Sequence, residues 1–356
     1  MLRLELRPQP SRWMSLASPL LALLCTTLIG LVLFASLGKD PVQALRMFFL
    51  EPVRNAYAWG ELGLKATPLV LIALGLAVAF RANVWNIGAE GQFVVGALAA
   101  GWVAMQAGPD TGRWIVLPIL MAGAMGGLMW AGLTAWLRDR FHANEILVSL
   151  MLVYVAELLL QYLVYGPWKD PAGYNFPQTI TFLPATQVPR LFPGTRLHIG
   201  VWIALASVVG VWWLMFRSMA GFSWQVGGLA PAAARYAGFS SRAALWGTLA
   251  LSGGLAGLAG GLEAAGPLRQ LTPYVPMGYG FAAIIVAFVG RLHPVGIVLS
   301  GILMSMFYIG GELAQSRLGL PKAITGVFQG LLLFCLLASD TLIHYRLRRS
   351  APQEAR

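Results

Sequence analysis

Charge is scarce in this chain. Only 11% of its 356 residues are Asp, Glu, Lys or Arg, whereas 58% are hydrophobic. A soluble domain carries about 25% charged residues. So few charges cannot cover a water-facing surface of this size, which rules out a soluble enzyme or binding domain as the class. Cysteine is scarcer: Cys25 and Cys335 lie inside apolar runs, far from His and from each other. That placement supports neither a disulfide scaffold nor a zinc site, and both are expected to be small buried hydrophobes. A phosphate-binding loop is also missing. No Gly-x4-Gly-Lys-Ser/Thr occurs, and Gly38-Lys39-Asp40 lacks both the spacing and the hydroxyl. No Ser/His/Asp set or metal-ligand spacing is found, so no catalytic residue, metal or resident cofactor is assigned.

What is present is apolar length. A helix needs about 20 apolar residues to cross a bilayer, fewer where it is short or broken. The charge-poor windows predict an all-α polytopic membrane protein of about ten transmembrane helices, some short or broken. The expected spans are 16–37, 60–80, a third from within 83–92 to 107, then 114–137, 146–166, 199–216, 243–262, 278–290, 295–311 and 323–339. The first is too long for a signal-peptide core and reads as a retained helix. The expected division is a cytoplasmic segment 1–15, a transmembrane domain 16–340 and a basic cytoplasmic tail 341–356.

The net charge of +11 reads as contact with anionic lipid headgroups. Nucleic acid is not expected, since no basic face is interleaved with aromatics. The arginine distribution favours both termini inside. Only Lys39, Lys65, Lys169 and Lys322 are lysines among 25 basic residues, a composition that points to a GC-rich bacterial genome. Residues 165–198 hold Pro167, Pro171, Pro177, Pro184, Pro189 and Pro193, which forbids a continuous helix and predicts an outer loop.

The most unusual stretch is 83–92, with Asn83, Asn86, Glu90 and Gln92 between two long apolar runs. It is expected at the cytoplasmic entry of the third span. Polar groups at membrane depth cost several kcal/mol unless paired or wet. Two readings stand open. Asn86, Glu90 and Gln92 line a solute pathway, or they cap the helix start. Glu157 lies mid-span, as a proton site, an ion-pair partner or a pathway residue. Glu145 is expected to follow an Asn144 cap and to pair with Arg140 or Arg81. Glu263 is expected at the outer interface, and His293-Pro294 as a helix break. The small-residue run 252–261 allows close helix approach.

Residues 217–242 form a second loop, placed in the cytoplasm. Pro231 suits a first helical turn, Ala232 to Ala234 are strong helix formers, and Gly238 suits a stop. A helix of about two turns is expected, and one so short needs support from a neighbour or partner.

Ala233-Ala234-x-x-x-Gly238 resembles the coupling-loop core of permeases of ATP-binding-cassette importers, though Ala232 stands where an acidic residue often precedes it. Asn86-Ile-Gly-Ala-Glu-Gly-Gln92, Ala143-Asn-Glu-Ile-Leu-Val-Ser-Leu150 and the run 280–296 resemble signatures of the branch that imports nucleosides and simple sugars. The resemblance covers roughly 60–340, and is weaker to the branched-chain amino-acid permeases that share the fold. It implies a permease subunit in the bacterial inner membrane, working by alternating access. It also implies a second permease subunit, identical or paralogous, an extracytoplasmic substrate-binding protein, and a cytoplasmic ATPase that hydrolyses ATP. The ATPase contact would be carried by Ala233, Ala234, Arg235, Tyr236 and Gly238. The alternatives are an ion-coupled secondary transporter using an intramembrane Glu, and a branched-chain amino-acid importer.

Overall fold

A computed structural model describes residues 2–7 and 11–349. Residues 8–10 of the expected N-terminal segment and the tail from 350 onward lie outside the described residues. The helices are α1 (Arg12–Ser36), α2 (Pro41–Phe49), α3 (Ala56–Arg81), α4 (Ala89–Met105), α5 (Val116–Phe141), α6 (Glu145–Tyr165), α7 (Gly200–Arg217), α8 (Met219–Leu229), α9 (Pro231–Tyr236), α10 (Ser241–Glu263), α11 (Tyr279–Val289), α12 (Pro294–Leu318) and α13 (Ala323–His344). Eight helical stretches among the described residues are long and apolar enough to cross a membrane. Two shorter apolar ones, α4 and α11, fall where the third and eighth spans are expected.

The chain divides into two compact units, Asn55–Ser305 and the two ends, Met1–Arg54 with Met306–Arg356. The unit of the two ends pairs α1 with α13. Its core is a cluster of buried phenylalanines, Phe34, Phe48, Phe307 and Phe328, with Phe48 and Phe328 stacked at 4.9 Å between centroids. The Ser18 hydroxyl donates to Asp340 at 2.5 Å. Strands β1 (Leu2–Leu6) and β2 (Tyr345–Arg349) pair antiparallel, with Leu2 opposite Arg349 and Leu6 opposite Tyr345. The N-terminal segment and the start of the tail therefore form one ladder rather than two separate solvated ends.

The unit Asn55–Ser305 is built around α3 and α10. Helix α3 is apolar on every side and buried along most of its length, as expected for the centre of a bundle. Helix α10 packs against α3, α4 and α5. Glycine makes this possible. A Cβ on Gly257 would sit 2.2 Å from the Gly123 carbonyl oxygen and 2.7 Å from the Gly127 Cα. Backbones this close need small residues on both helices, the role expected of the run 252–261. Helices α5, α6 and α7 instead leave large apolar side chains exposed, among them Leu117, Met121, Met125 and Met129 at every fourth position of α5. That is a face for hydrocarbon or another membrane helix.

The proline-rich loop is folded rather than draped. Helix α10 ends in a π-helical turn, Ala264–Leu268. The carbonyls of Ala265, Arg269 and Leu271 accept from the N–H groups of Val188, Phe182 and Thr179, at 2.9, 2.7 and 3.0 Å. Arg196 forms a two-pronged ion pair with Glu61 of α3, its Nε at 2.9 Å from Oε1. One sequence expectation fails on the surface: Cys335 is buried, but Cys25 is exposed. Cys25 lies on a helix whose outer side is largely uncovered.

Candidate functional site

The polar stretch 83–92 reverses the chain between α3 and α4. Asn83 has φ of 55°, a left-handed conformation that Asn tolerates better than most residues. Asn86 then turns inward. Its Nδ2 donates to Gln92 Oε1 and to Ser252 Oγ, both at 2.9 Å, and its Oδ1 accepts from Gln92 Nε2 at 2.9 Å and from the Gly88 N–H at 3.1 Å. Asn86, Gln92 and Ser252 are all buried. The knot satisfies its polar groups internally, which is what low-dielectric surroundings demand.

Glu90 occupies the first turn of α4. It is 1% exposed. Its two carboxylate oxygens accept from the backbone N–H groups of Gly278, at 2.9 Å, and Gly280. Those amides open α11, so one carboxylate serves the starts of two helices, where peptide dipoles favour negative charge. Gly278 at φ of 77° aims its N–H. Gly280 leaves room, since a Cβ there would lie 2.2 Å from the Glu90 nitrogen.

The junction is separated from the end of α3 by the length of α11. The far end of α11 reaches Leu292, whose carbonyl accepts from Arg81 Nε at 2.9 Å, at the end of α3. An 11-residue helix rises about 16 Å at 1.5 Å per residue, roughly half of a 30 Å hydrocarbon core. Glu90 therefore lies about 16 Å along the bundle from the Arg81–Leu292 contact at the end of α3. Two helices begin there because the connections before them, 82–88 and 269–278, run without helix.

Glu157 borders this cluster: it lies one turn beyond Val153, which packs against Gly91, and is near enough to Glu90 for the two charges to interact. It sits on α6 and is partly exposed. Tyr154, Glu157, Gln161 and Tyr165 follow at i, i+3, i+7 and i+11, one narrow stripe of the helix. Tyr154, Gln161 and Tyr165 are exposed. A carboxylate and a carboxamide in hydrocarbon are costly, so this stripe calls for water or protein against it. Helical spacing alone could have found Tyr154, Gln161 and Tyr165. Ser252 could not be found that way, being 166 residues from its partner Asn86.

Asn144 caps α6 as expected, its Oδ1 accepting from the Ile146 N–H at 2.9 Å. Glu145, however, pairs with Arg138 at 2.7 Å, not with Arg140 or Arg81. His142, left-handed at φ 53°, reverses the chain and returns Glu145 alongside the turn that carries Arg138. Arg81 is taken up elsewhere, by Leu292 and by Gln225 Oε1 at 3.0 Å. Glu263, at the end of α10, is buried. His293 breaks the chain before α12, its Nδ1 accepting from the Val295 N–H at 3.3 Å.

Within 217–242 the expected short helix is α9, with Pro231 at its first turn. Gly238 stops it at φ of 80°, its N–H donating to the Arg235 carbonyl at 3.0 Å. A second helix, α8, precedes it. Phe222 and Phe239 meet edge to face, with 6.1 Å between centroids, and fix one turn of this hairpin to the other. Ala234 is buried against the hairpin, whereas Ala233, Arg235, Tyr236 and Gly238 are exposed. Tyr236 is 96% exposed and Leu229 86%. Beside them lies a cleft of about 190 Å³ that includes Ser223, Pro231, Arg235 and Phe239.

Residues 61–337 match the family described as "Branched-chain amino acid transport system / permease component". A glucose ABC transporter permease protein, TsgB13 of Haloferax volcanii, is 33% identical over 97% of this chain and 94% of its own. A guanosine ABC transporter permease protein, NupP of Bacillus subtilis, is 28% identical over 90% and 92%. A nucleoside ABC transporter permease protein, NupB of Lactococcus lactis subsp. cremoris, is 26% identical over 89% of each. No solved structure matches the chain.

Proposed function

The chain belongs to this permease-component family as a membrane permease of an ATP-binding-cassette importer, and we propose that its solutes are nucleosides or related simple sugars. The relatives that match nearly its whole length are named for glucose, guanosine and nucleosides, which favours this class over branched-chain amino acids. It also weighs against an ion-coupled carrier.

The observation that carries the mechanism is the polar stripe on α6. Tyr154, Gln161 and Tyr165 are exposed, and Glu157 between them is partly exposed. In this reading they form one wall of the pathway, completed by a second permease subunit. Hydroxyl, amide and carboxylate groups can exchange hydrogen bonds with ribose or sugar hydroxyls, and the tyrosine rings offer an apolar surface to a base. Asn86, Gln92 and Glu90 act behind that wall, holding the starts of α4 and α11 in register. The solute crosses by alternating access, with no chemistry on this chain. An ATPase subunit docks on α9 through Ala233, Arg235, Tyr236 and Gly238 and supplies ATP hydrolysis. Buried Ala234 acts there only as packing. An extracytoplasmic binding protein delivers the solute to the opposite face, and both termini lie in the cytoplasm of a bacterial inner membrane. Named pairs such as NupP and NupQ of Bacillus subtilis favour a paralogous second permease.

The test is uptake in vesicles holding the chain with its partner subunits. Labelled guanosine or glucose should accumulate only with ATP, and leucine should not. Uptake that persists without the ATPase and collapses with a protonophore would overturn the reading.

A further inference from the structure

The folded proline-rich loop encloses a cavity that the transport reading does not use. Its volume is about 370 Å³, and it is lined by Arg113, Arg190, Arg196, Arg269, Gln187 and His198, with prolines and Gly266 between them. No carboxylate lines it. Arg196 is engaged by Glu61. Arg113, Arg190 and Arg269 make no ion pair among the described residues. Three guanidinium groups thus share one concavity without a counter-charge, an arrangement whose mutual repulsion an anion would relieve.

The floor is built, not incidental. His198 is 3% exposed. Its Nδ1 accepts from the Gly200 N–H at 3.0 Å. A neutral imidazole accepting at Nδ1 carries its proton on Nε2, a donor. That nitrogen is not among the buried polar atoms lacking a partner, and the side chain lines the cavity. Burial pushes the His198 pKa down to about 4, so the donor is neutral when empty. Arg269 is held at φ of 58° at the end of the π-helical turn, its N–H donating to the Ala264 carbonyl at 2.9 Å and its carbonyl accepting from Phe182. Backbone geometry thus fixes where its side chain leaves the chain.

We propose that this cavity binds a phosphate-class anion, either free in the surrounding fluid or presented as a lipid headgroup. Guanidinium forks match phosphate oxygens in pairs, and several of them suit a multivalent anion better than chloride. The volume falls at the lower end of small-ligand sites, large enough for a phosphomonoester. The lipid source is within reach because Trp114, 69% exposed, adjoins Arg113 where α5 begins, and such Trp residues sit at headgroup level.

The probe is inorganic phosphate, titrated at constant ionic strength against chloride into the full chain in neutral phosphatidylcholine nanodiscs. Calorimetry and the NMR signal of the His198 ring report binding. We expect saturable binding, with the His198 titration moving to higher pH as the anion favours the imidazolium. Arg113→Gln with Arg269→Gln should weaken it at least about tenfold. Arg113 is exposed and Arg269 partly exposed, and neither change alters His198 itself. A second arm repeats the titration in phosphatidylglycerol nanodiscs. Loss of phosphate binding there assigns the site to a headgroup, and unchanged binding assigns it to free anion. Absence of saturable binding in phosphatidylcholine, or equal binding by the double variant, overturns the proposal.

Discussion

The carboxylate of Glu90 accepts from the backbone N–H of Gly280, 190 residues away in sequence. That bond and its companion to Gly278 fasten the first turn of α11 to the first turn of α4. Glu90→Gln keeps the shape but replaces one acceptor oxygen with a donor that faces a backbone N–H. It should lower stability by about 1–3 kcal/mol and lower the maximal uptake rate while leaving the apparent solute affinity near normal. Thermal unfolding in nanodiscs and concentration-dependent uptake check it. A variant with unchanged melting temperature would remove the capping role.

Glycines in α10 should divide by their surroundings. Gly257→Ala places a methyl against the Gly123 carbonyl and should cost about 2 kcal/mol or more, or prevent accumulation of folded protein. Gly254→Ala meets only the Ala124 oxygen at 3.9 Å and should be tolerated. Membrane yield and melting temperature of the pair provide the comparison. Equal losses would mean that helix approach is not the reason.

The stripe on α6 predicts a separation of folding from transport. Glu157→Gln and Gln161→Leu should leave the stability within about 1 kcal/mol of normal, as exposed or partly exposed positions do. Uptake should fall at least about tenfold. If both variants transport normally, the pathway wall is elsewhere.

On α9, Tyr236→Ala should leave the chain intact, since that side chain touches almost nothing of its own subunit. Copurification of the ATPase, and solute-stimulated ATP hydrolysis, should fall sharply. Gly238→Val forces a β-branched residue to φ of 80° and should cost about 1–2 kcal/mol locally, weakening coupling without touching the stripe. Normal coupling in both variants would remove the docking role of this helix.

The loop should be acid-sensitive in a defined window. His198 is buried neutral, with its pKa lowered to about 4 from an ordinary 6.5. Its contribution is complete above pH 6.5 and is lost as pH falls from 6.5 toward 4, up to about 3 kcal/mol. The protection factors of the amides in 179–200, observed exchange divided into the intrinsic rate at each pH, should fall over that interval in phosphate-free buffer. In His198→Asn, the same interval should show no such fall.

The membrane spans were legible because charge is excluded wherever a helix meets hydrocarbon, and short α9 because Pro231 and Gly238 punctuate both its ends. Other features left no local mark. The partnership of Asn86 with Ser252 and the pairing of Glu145 with Arg138 depend on how the chain folds back, not on neighbouring letters. Helix α8 carries Gly227 and Gly228, residues that argue against helix, yet Gly228 packs against the backbone at Arg81 and Ala82, where a larger residue would clash. The stripe on α6 was visible in the spacing but was overshadowed by its one charged member.

The ladder between β1 and β2 has a consequence for counting. Strands paired from Leu2 opposite Arg349 to Leu6 opposite Tyr345 must lie on one side of the bilayer. The polypeptide between them therefore makes an even number of passages. With all eight long apolar helices of the described residues taken as crossings, that parity is already satisfied. Helices α4 and α11 must then both complete a passage or both fail to, and no arrangement that grants it to one alone is allowed. The two segments whose starts share Glu90 are thus bound together a second time, by arithmetic as well as by a carboxylate.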